Sequence, residues 1–195
     1  MKKILIIAAV AMAALASNAA AFAWSNTGGA SNGAIYNYGG VDKLYGDGSV
    51  AYTAYLFCTA DISQGDLLAN VRKDGASALT AAAIGGKSTA TLNSSSKIGL
   101  TEDFQYGSAG NDYTFYFAIL DSANNQVLIS ETATAAAQAS ATETIGFSGS
   151  KTWSKVSNGA GDYSAAGWYS AVPEPTSGLL MLVGLGALAL RRRRA

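Results

Sequence analysis

The sequence predicts an all-β domain, and more specifically an antiparallel β-sandwich. Two runs of eight residues, 51–58 and 113–120, are rich in aromatic and β-branched side chains, which favour strands. Shorter apolar runs are separated by Gly, Asn, Asp and Ser, as is typical of sandwiches. The chain has 195 residues, which is enough for one such domain and too few for two large ones.

The N-terminus has the three parts of a secretory signal peptide. Two lysines precede an apolar run over residues 4–16, and a string of small residues follows. Ala21 and Ala23 stand three residues and one residue before Trp24, so they predict cleavage before Trp24. Ala19, Ala20 and Ala21 form a second site of the same type, which predicts cleavage two residues earlier, before Phe22. We therefore expect residues 1–23 to form a signal helix that is removed on export.

The region 24–156 is expected to form the sandwich. Its two strongest strands are apolar on both faces, which indicates burial at the centre of the domain. Turn-forming residues predict a hairpin into 127–129 and another into a strand at 67–71. Shorter strands are predicted at 35–38, 88–92, 98–101 and 144–147. Two Ala-rich stretches, 76–84 and 133–141, are expected to form short helices, although interleaved Thr and Ser disfavour the second one.

The C-terminal part contains a predicted linker and a predicted membrane helix. Residues 157–172 are rich in Gly, Ser and Ala, so they predict a flexible linker. The apolar run 178–190 makes a helix of about 20 Å, against a hydrocarbon core of about 30 Å, so it is a minimal transmembrane helix. Four arginines follow it and favour the cytoplasmic side of the membrane. The precursor is therefore expected to be anchored in the inner membrane with its domain facing outward.

The last residues resemble a known sorting signal. The apolar helix stands between a Pro-Glu-Pro tripeptide and a basic cluster, which consist of Pro173, Glu174, Pro175, Arg191, Arg192, Arg193 and Arg194. This order over residues 173–195 is similar to the PEP-CTERM signal of exported proteins in Gram-negative bacteria. The resemblance implies processing by an exosortase, a membrane-embedded cysteine protease or transpeptidase. It also implies an association with extracellular polysaccharide and biofilm, at the cell surface or in the extracellular matrix.

Composition excludes several kinds of chemistry. The chain has no His and one Cys, which removes Ser-His-Asp and Cys-His catalysis, the usual zinc sites and an internal disulfide. The region 24–172 has seven basic and twelve acidic side chains, a net charge of −5, which disfavours nucleic acid as a partner. We expect no cofactor and no metal. The one thiol, Cys58, lies within a predicted strand and is expected to be buried.

Two kinds of side chain remain as candidates for function. Neighbouring carboxylates in loops, such as 61 with 66 and 102 with 103, are expected to shape turns. Trp153, Trp168 and Tyr169 lie in or near predicted loops, where an aromatic face can stack on a sugar ring. The expected function is therefore a structural or adhesive surface protein that is not an enzyme. The alternatives are a non-catalytic carbohydrate-binding module and a carboxylate-dependent polysaccharide hydrolase.

Overall fold

The computed structural model describes residues 19–26, 34–40, 42–44, 52–84, 89–91, 98, 101–147 and 153–172. These residues form mostly β-sheet together with two short helices. The strands are β1 (Ala19–Ser25), β2 (Thr53–Cys58), β3 (Thr89–Thr91), β4 (Phe104–Ser108), β5 (Asp112–Asp121), β6 (Gln126–Ile129), β7 (Ala133–Ala136), β8 (Glu143–Gly146), β9 (Ser157–Gly159) and β10 (Gly167–Ser170). The helices are α1 (Gln64–Asp74) and α2 (Ala76–Ala82). The prediction of an all-β chain is thus consistent with the described residues.

The strands form two sheets that pack face to face. The small sheet has the order β4-β1-β8, and the large sheet has the order β3-β2-β5-β6-β10-β9, with β7 also paired to β5. Phe22 of the small sheet lies 5.3 Å from Phe115 of the large sheet, measured between ring centroids. Trp24 and Phe117 approach to 5.7 Å in the same way. The pairing is antiparallel except at β1–β8 and β9–β10, which are parallel.

The two helices explain why β2 and β5 are apolar on both faces. Along β5, Phe115 and Phe117 point into the core between the sheets, whereas Tyr116 and Ala118 point to the opposite face. Apolar side chains of α1 and α2 cover that opposite face. The large sheet is therefore the middle of three layers, and its central strands are buried on both sides.

Helix α1 replaces a predicted strand at Leu67–Val71. The Ser63 hydroxyl caps the helix, because its oxygen accepts a hydrogen bond from the Asp66 backbone N–H at 3.1 Å. Leu67, Leu68 and Val71 are all buried against the sheet. A short apolar run has no clear periodicity, so it does not distinguish one face of a helix from a buried strand. The helix predicted at 76–84 is confirmed as α2.

Two further predictions are wrong. The Ala-rich stretch 133–141 contains strand β7, because this segment pairs with β5 and alternates between buried and exposed side chains. The predicted flexible linker 157–172 contains β9 and β10, which form the edge of the large sheet. β10 pairs antiparallel with β6, and Trp168 and Tyr169 are fully buried. Because small residues surround these two aromatics in the sequence, the composition predicted a linker where the buried strand β10 lies.

The shorter predicted strands have mixed outcomes. The segments 88–92 and 144–147 contain β3 and most of β8. At 35–38 there is a single bridge between Tyr36 and Lys43. Of 98–101, only the first and last residues are described, and neither lies in a strand.

Strand β1 crosses the predicted start of the mature domain. The expected cleavage before Trp24 would divide β1 after its fifth residue. β1 is the middle strand of the small sheet and pairs with β4 on one side and β8 on the other. The predicted boundary between residues 23 and 24 is therefore not a boundary of the fold. Residues 1–18 of the predicted signal helix lie outside the described residues.

Candidate functional site: the C-terminal junction and a surface bulge

The C-terminal signal joins the fold directly at the end of β10. The Ala171 backbone N–H donates to the Asn125 carbonyl oxygen at 2.9 Å, which continues the edge of the sheet beyond Ser170. Val172 follows with 47% of its surface exposed. The Pro-Glu-Pro tripeptide, the apolar run and the four arginines lie outside the described residues. Among the residues that the structure describes, no helix is long and apolar enough to cross a membrane.

The three predicted glycan contacts are core residues. Trp153 is 4% exposed, and its ring packs at 5.7 Å from that of Phe117. Trp168 is fully buried, and its indole N–H donates to the Tyr36 carbonyl oxygen at 2.9 Å. Tyr169 is also fully buried, and its hydroxyl donates to the Ala165 carbonyl oxygen at 2.6 Å. None of the three rings offers a face on which a sugar could stack.

A bulge between β6 and β7 places polar side chains on the surface instead. Ile129 of β6 pairs with Ala118 of β5, and Ala133 of β7 pairs with Phe115. From Ile129 to Ala133 the chain advances four residues, whereas from Ala118 to Phe115 the partner strand β5 advances only three. The connection between β6 and β7 therefore contains one extra residue. Such bulges interrupt the ladder and redirect side chains, and they are frequent beside functional sites.

Ser130 holds this bulge in place with all of its polar groups. Its backbone N–H donates to the Phe117 carbonyl oxygen at 2.9 Å, and its hydroxyl accepts from the Phe117 N–H at 2.8 Å. The hydroxyl oxygen therefore accepts the hydrogen bond that a backbone carbonyl oxygen would accept in a regular sheet. The Ser130 carbonyl oxygen is left to accept from the Gln64 side-chain amide at 2.7 Å. This exchange ties the N-terminus of α1 to the bulge.

Two shallow cavities meet at the exposed residues Glu131 and Thr132. The larger, of about 350 Å³, is lined by Gln64, Glu131, Thr132, Tyr163 and Ala166. The smaller, of about 200 Å³, lies on the other side of the bulge and extends to Phe147 and Trp153. We call the larger cavity the Glu131 groove. Its lining combines a carboxylate, an amide, a hydroxyl and a partly exposed phenol ring.

Electrostatics keep the phenol of the groove neutral. Burial, followed by the neighbouring Tyr169 and Glu131, raises the pKa of Tyr163 to about 12. Tyr163 thus remains a hydrogen-bond donor at all physiological pH values, beside a carboxylate that accepts. Nothing in the sequence separated Glu131, Gln64 or Tyr163 from other polar residues, because the groove forms only where three segments distant in sequence meet.

Several other titratable side chains are engaged in local structure. Asp66 accepts from the Ser63 hydroxyl at 2.6 Å, and Asp61 accepts from the Tyr106 hydroxyl at 2.8 Å. Burial, and then hydrogen bonds with Cys58 and Asp61, raises the pKa of Tyr106 above its usual range. Cys58 itself is 1% exposed, so the prediction of a buried thiol is confirmed. In the described part of the chain, no three potential ligand side chains are grouped for a metal ion.

Comparison with known proteins identifies the tail. Residues 171–194 match the family model of the PEP-CTERM protein-sorting motif. Comparisons of the chain with curated proteins and with solved structures gave no match. The match begins at the first residue after β10 and covers the Pro-Glu-Pro tripeptide, the apolar run and the basic cluster. The chain therefore carries a PEP-CTERM sorting motif, which marks it as a protein that an exosortase processes on export to the cell envelope.

Proposed function

We propose that this chain is a non-catalytic structural or adhesive protein of the cell surface or biofilm matrix. The observation that carries the proposal is the direct fusion of the sorting motif to β10, a buried strand of the two-sheet domain. Ala171 is the last described residue with a backbone hydrogen bond to the sheet, and the apolar run begins at Gly178. The seven Cα–Cα steps from Ala171 to Gly178 can span at most about 25 Å, so the domain is displayed close to the point of attachment.

The proposed route has two membrane steps. The N-terminal signal peptide directs the chain out of the cytoplasm, and the apolar run holds the precursor in the inner membrane. The exosortase then cuts near the Pro-Glu-Pro tripeptide, where proline disfavours a helix. The released domain remains at the cell surface or in the matrix.

A pair of tail variants in the native host tests this function. Replacing Pro173, Glu174 and Pro175 together by alanine should remove the chain from the envelope and matrix and lower the shear strength of the biofilm. The matched control, Ser122→Ala, changes an exposed residue outside the sorting motif and should change neither measurement. If the triple variant is lost from the envelope while the biofilm keeps its strength, the structural role is wrong and only the sorting role remains.

A second candidate function is supported by the Glu131 groove. A partly exposed phenol ring offers an apolar face, and the adjacent carboxylate, amide and hydroxyl offer hydrogen-bond partners. This combination suits a neutral sugar, so the chain would then be a carbohydrate-binding module that contacts extracellular polysaccharide. The contact would involve Tyr163 in place of Trp153, Trp168 and Tyr169.

Glycan-array binding of the purified protein distinguishes the two candidates. A carbohydrate-binding module predicts saturable binding that Glu131→Gln and Tyr163→Ala abolish. Tyr38→Ala serves as the control, because Tyr38 is 42% exposed and does not line the groove. Absence of binding to every glycan would contradict this second function. Release of sugar from a bound polysaccharide, lost in Glu131→Gln, would show that the protein is a hydrolase.

A further inference from the structure

Strand β1 is an integral part of the small sheet. Every residue that β1 pairs with β4 lies before Trp24, and these are Ala19, Ala20, Ala21 and Phe22. Its last four residues pair with β8. Since β4 and β8 do not pair with each other, β1 is what joins them into one sheet.

The side chains of β1 are equally integrated in the core. Ala20, Phe22 and Trp24 are fully buried between the two sheets. The Phe22 ring lies 5.3 Å from Phe115, 6.0 Å from Phe104 and 6.3 Å from Tyr113, measured between centroids. A chain that began at Trp24 would lack the β1–β4 ladder and the Phe22 ring.

A start at Trp24 would also bury a charge. The new N-terminus would be an ammonium group on Trp24, a fully buried residue whose N–H donates to the Thr101 hydroxyl at 3.1 Å. An unpaired buried charge costs several kcal/mol. A cut before Phe22 has the same consequence, because Phe22 is also fully buried. Both cleavage sites expected from the sequence thus conflict with the fold.

We propose that signal peptidase cleaves upstream of β1, between Ala16 and Ser17. Ala14 and Ala16 provide the small side chains three residues and one residue before this bond. Residues 4–13 then form an apolar stretch of ten residues, within the usual range of about 7–15. Water cleaves the amide, the carboxylate remains on Ala16, and the amine becomes the N-terminus of Ser17. The mature chain keeps all of β1.

The inference rests on the proposed export of the chain, and one experiment separates the two. The full chain is produced in its native host, and the N-terminus of the processed protein is sequenced. We expect it to begin at Ser17. A start at Ala20, Phe22 or Trp24 would overturn the cleavage site and leave export intact. An uncleaved N-terminus on cytoplasmic protein would overturn both.

Two matched variants give an independent readout. Ala16→Gln places a large side chain directly before the proposed bond, so we expect most of the chain to remain as precursor. Ala21→Gln blocks both downstream sites in the same way, and we expect processing at the wild-type rate with Ser17 still first. Signal peptidase acts before the domain folds, so neither result depends on the stability of the variant. The reverse pattern would refute the proposal.

Discussion

Replacing Phe22 by alanine tests whether β1 belongs to the folded, processed protein. The Phe22 side chain is fully buried and has ring contacts with Phe104, Tyr113 and Phe115. Truncation of a buried phenylalanine to alanine typically costs about 3–5 kcal/mol, through lost burial and the cavity that remains. For a domain of this size, each kcal/mol lowers Tm by about 2–4 °C. We therefore expect Phe22→Ala to lower Tm by about 6–20 °C.

The assay compares thermal unfolding of the processed proteins purified from the host, followed by far-UV circular dichroism. Ala21→Ser is the matched control, since Ala21 lies in the same strand on the opposite face and is only partly buried. Its effect should stay within about 0.5 kcal/mol. An unchanged Tm in Phe22→Ala would show that residue 22 is absent from the mature fold or is not packed there. Either explanation would refute the assignment of β1 to the core.

Three further predictions concern the tail, the bulge and the groove. Mass spectrometry of mature protein from the envelope should find that Gly178–Ala195 is missing and that the chain ends within Pro173–Ser177; an intact arginine cluster would reduce the tail to a plain anchor. Ser130→Ala leaves a buried backbone N–H without its acceptor, so urea unfolding should show a loss of about 1–3 kcal/mol, whereas exposed Ser122→Ala should show none. The free energy of unfolding should fall between pH 10 and about pH 12. The reason is that Tyr163 ionises near pH 10 in the unfolded chain, whereas its pKa in the folded protein is raised to about 12. Tyr163→Phe should reduce that alkaline loss of Tm, and an unchanged pH profile would contradict the shift.

The sequence predicted most of the elements whose signals are local. The aromatic runs that became β2 and β5 were identified as strands buried on both faces, and the structure places them in the middle layer. The turn before β6 was also predicted. The helix α1 was missed, although Ser63 followed by Asp66 is a usable capping signal. In each of these cases, neighbouring residues carry the information.

Only the tertiary structure decided which residues are buried by distant partners. Trp168 and Tyr169 lie among small residues typical of a linker, and pairing with β6 makes them core residues. The Glu131 groove depends on a register difference between β6 and β7 along β5. The sorting motif is the opposite case, because it is defined by the order of residues along the chain. The order of residues along the chain is therefore enough to identify the sorting motif. Long-range strand pairing, in contrast, decides where the folded domain begins and ends and where the Glu131 groove lies.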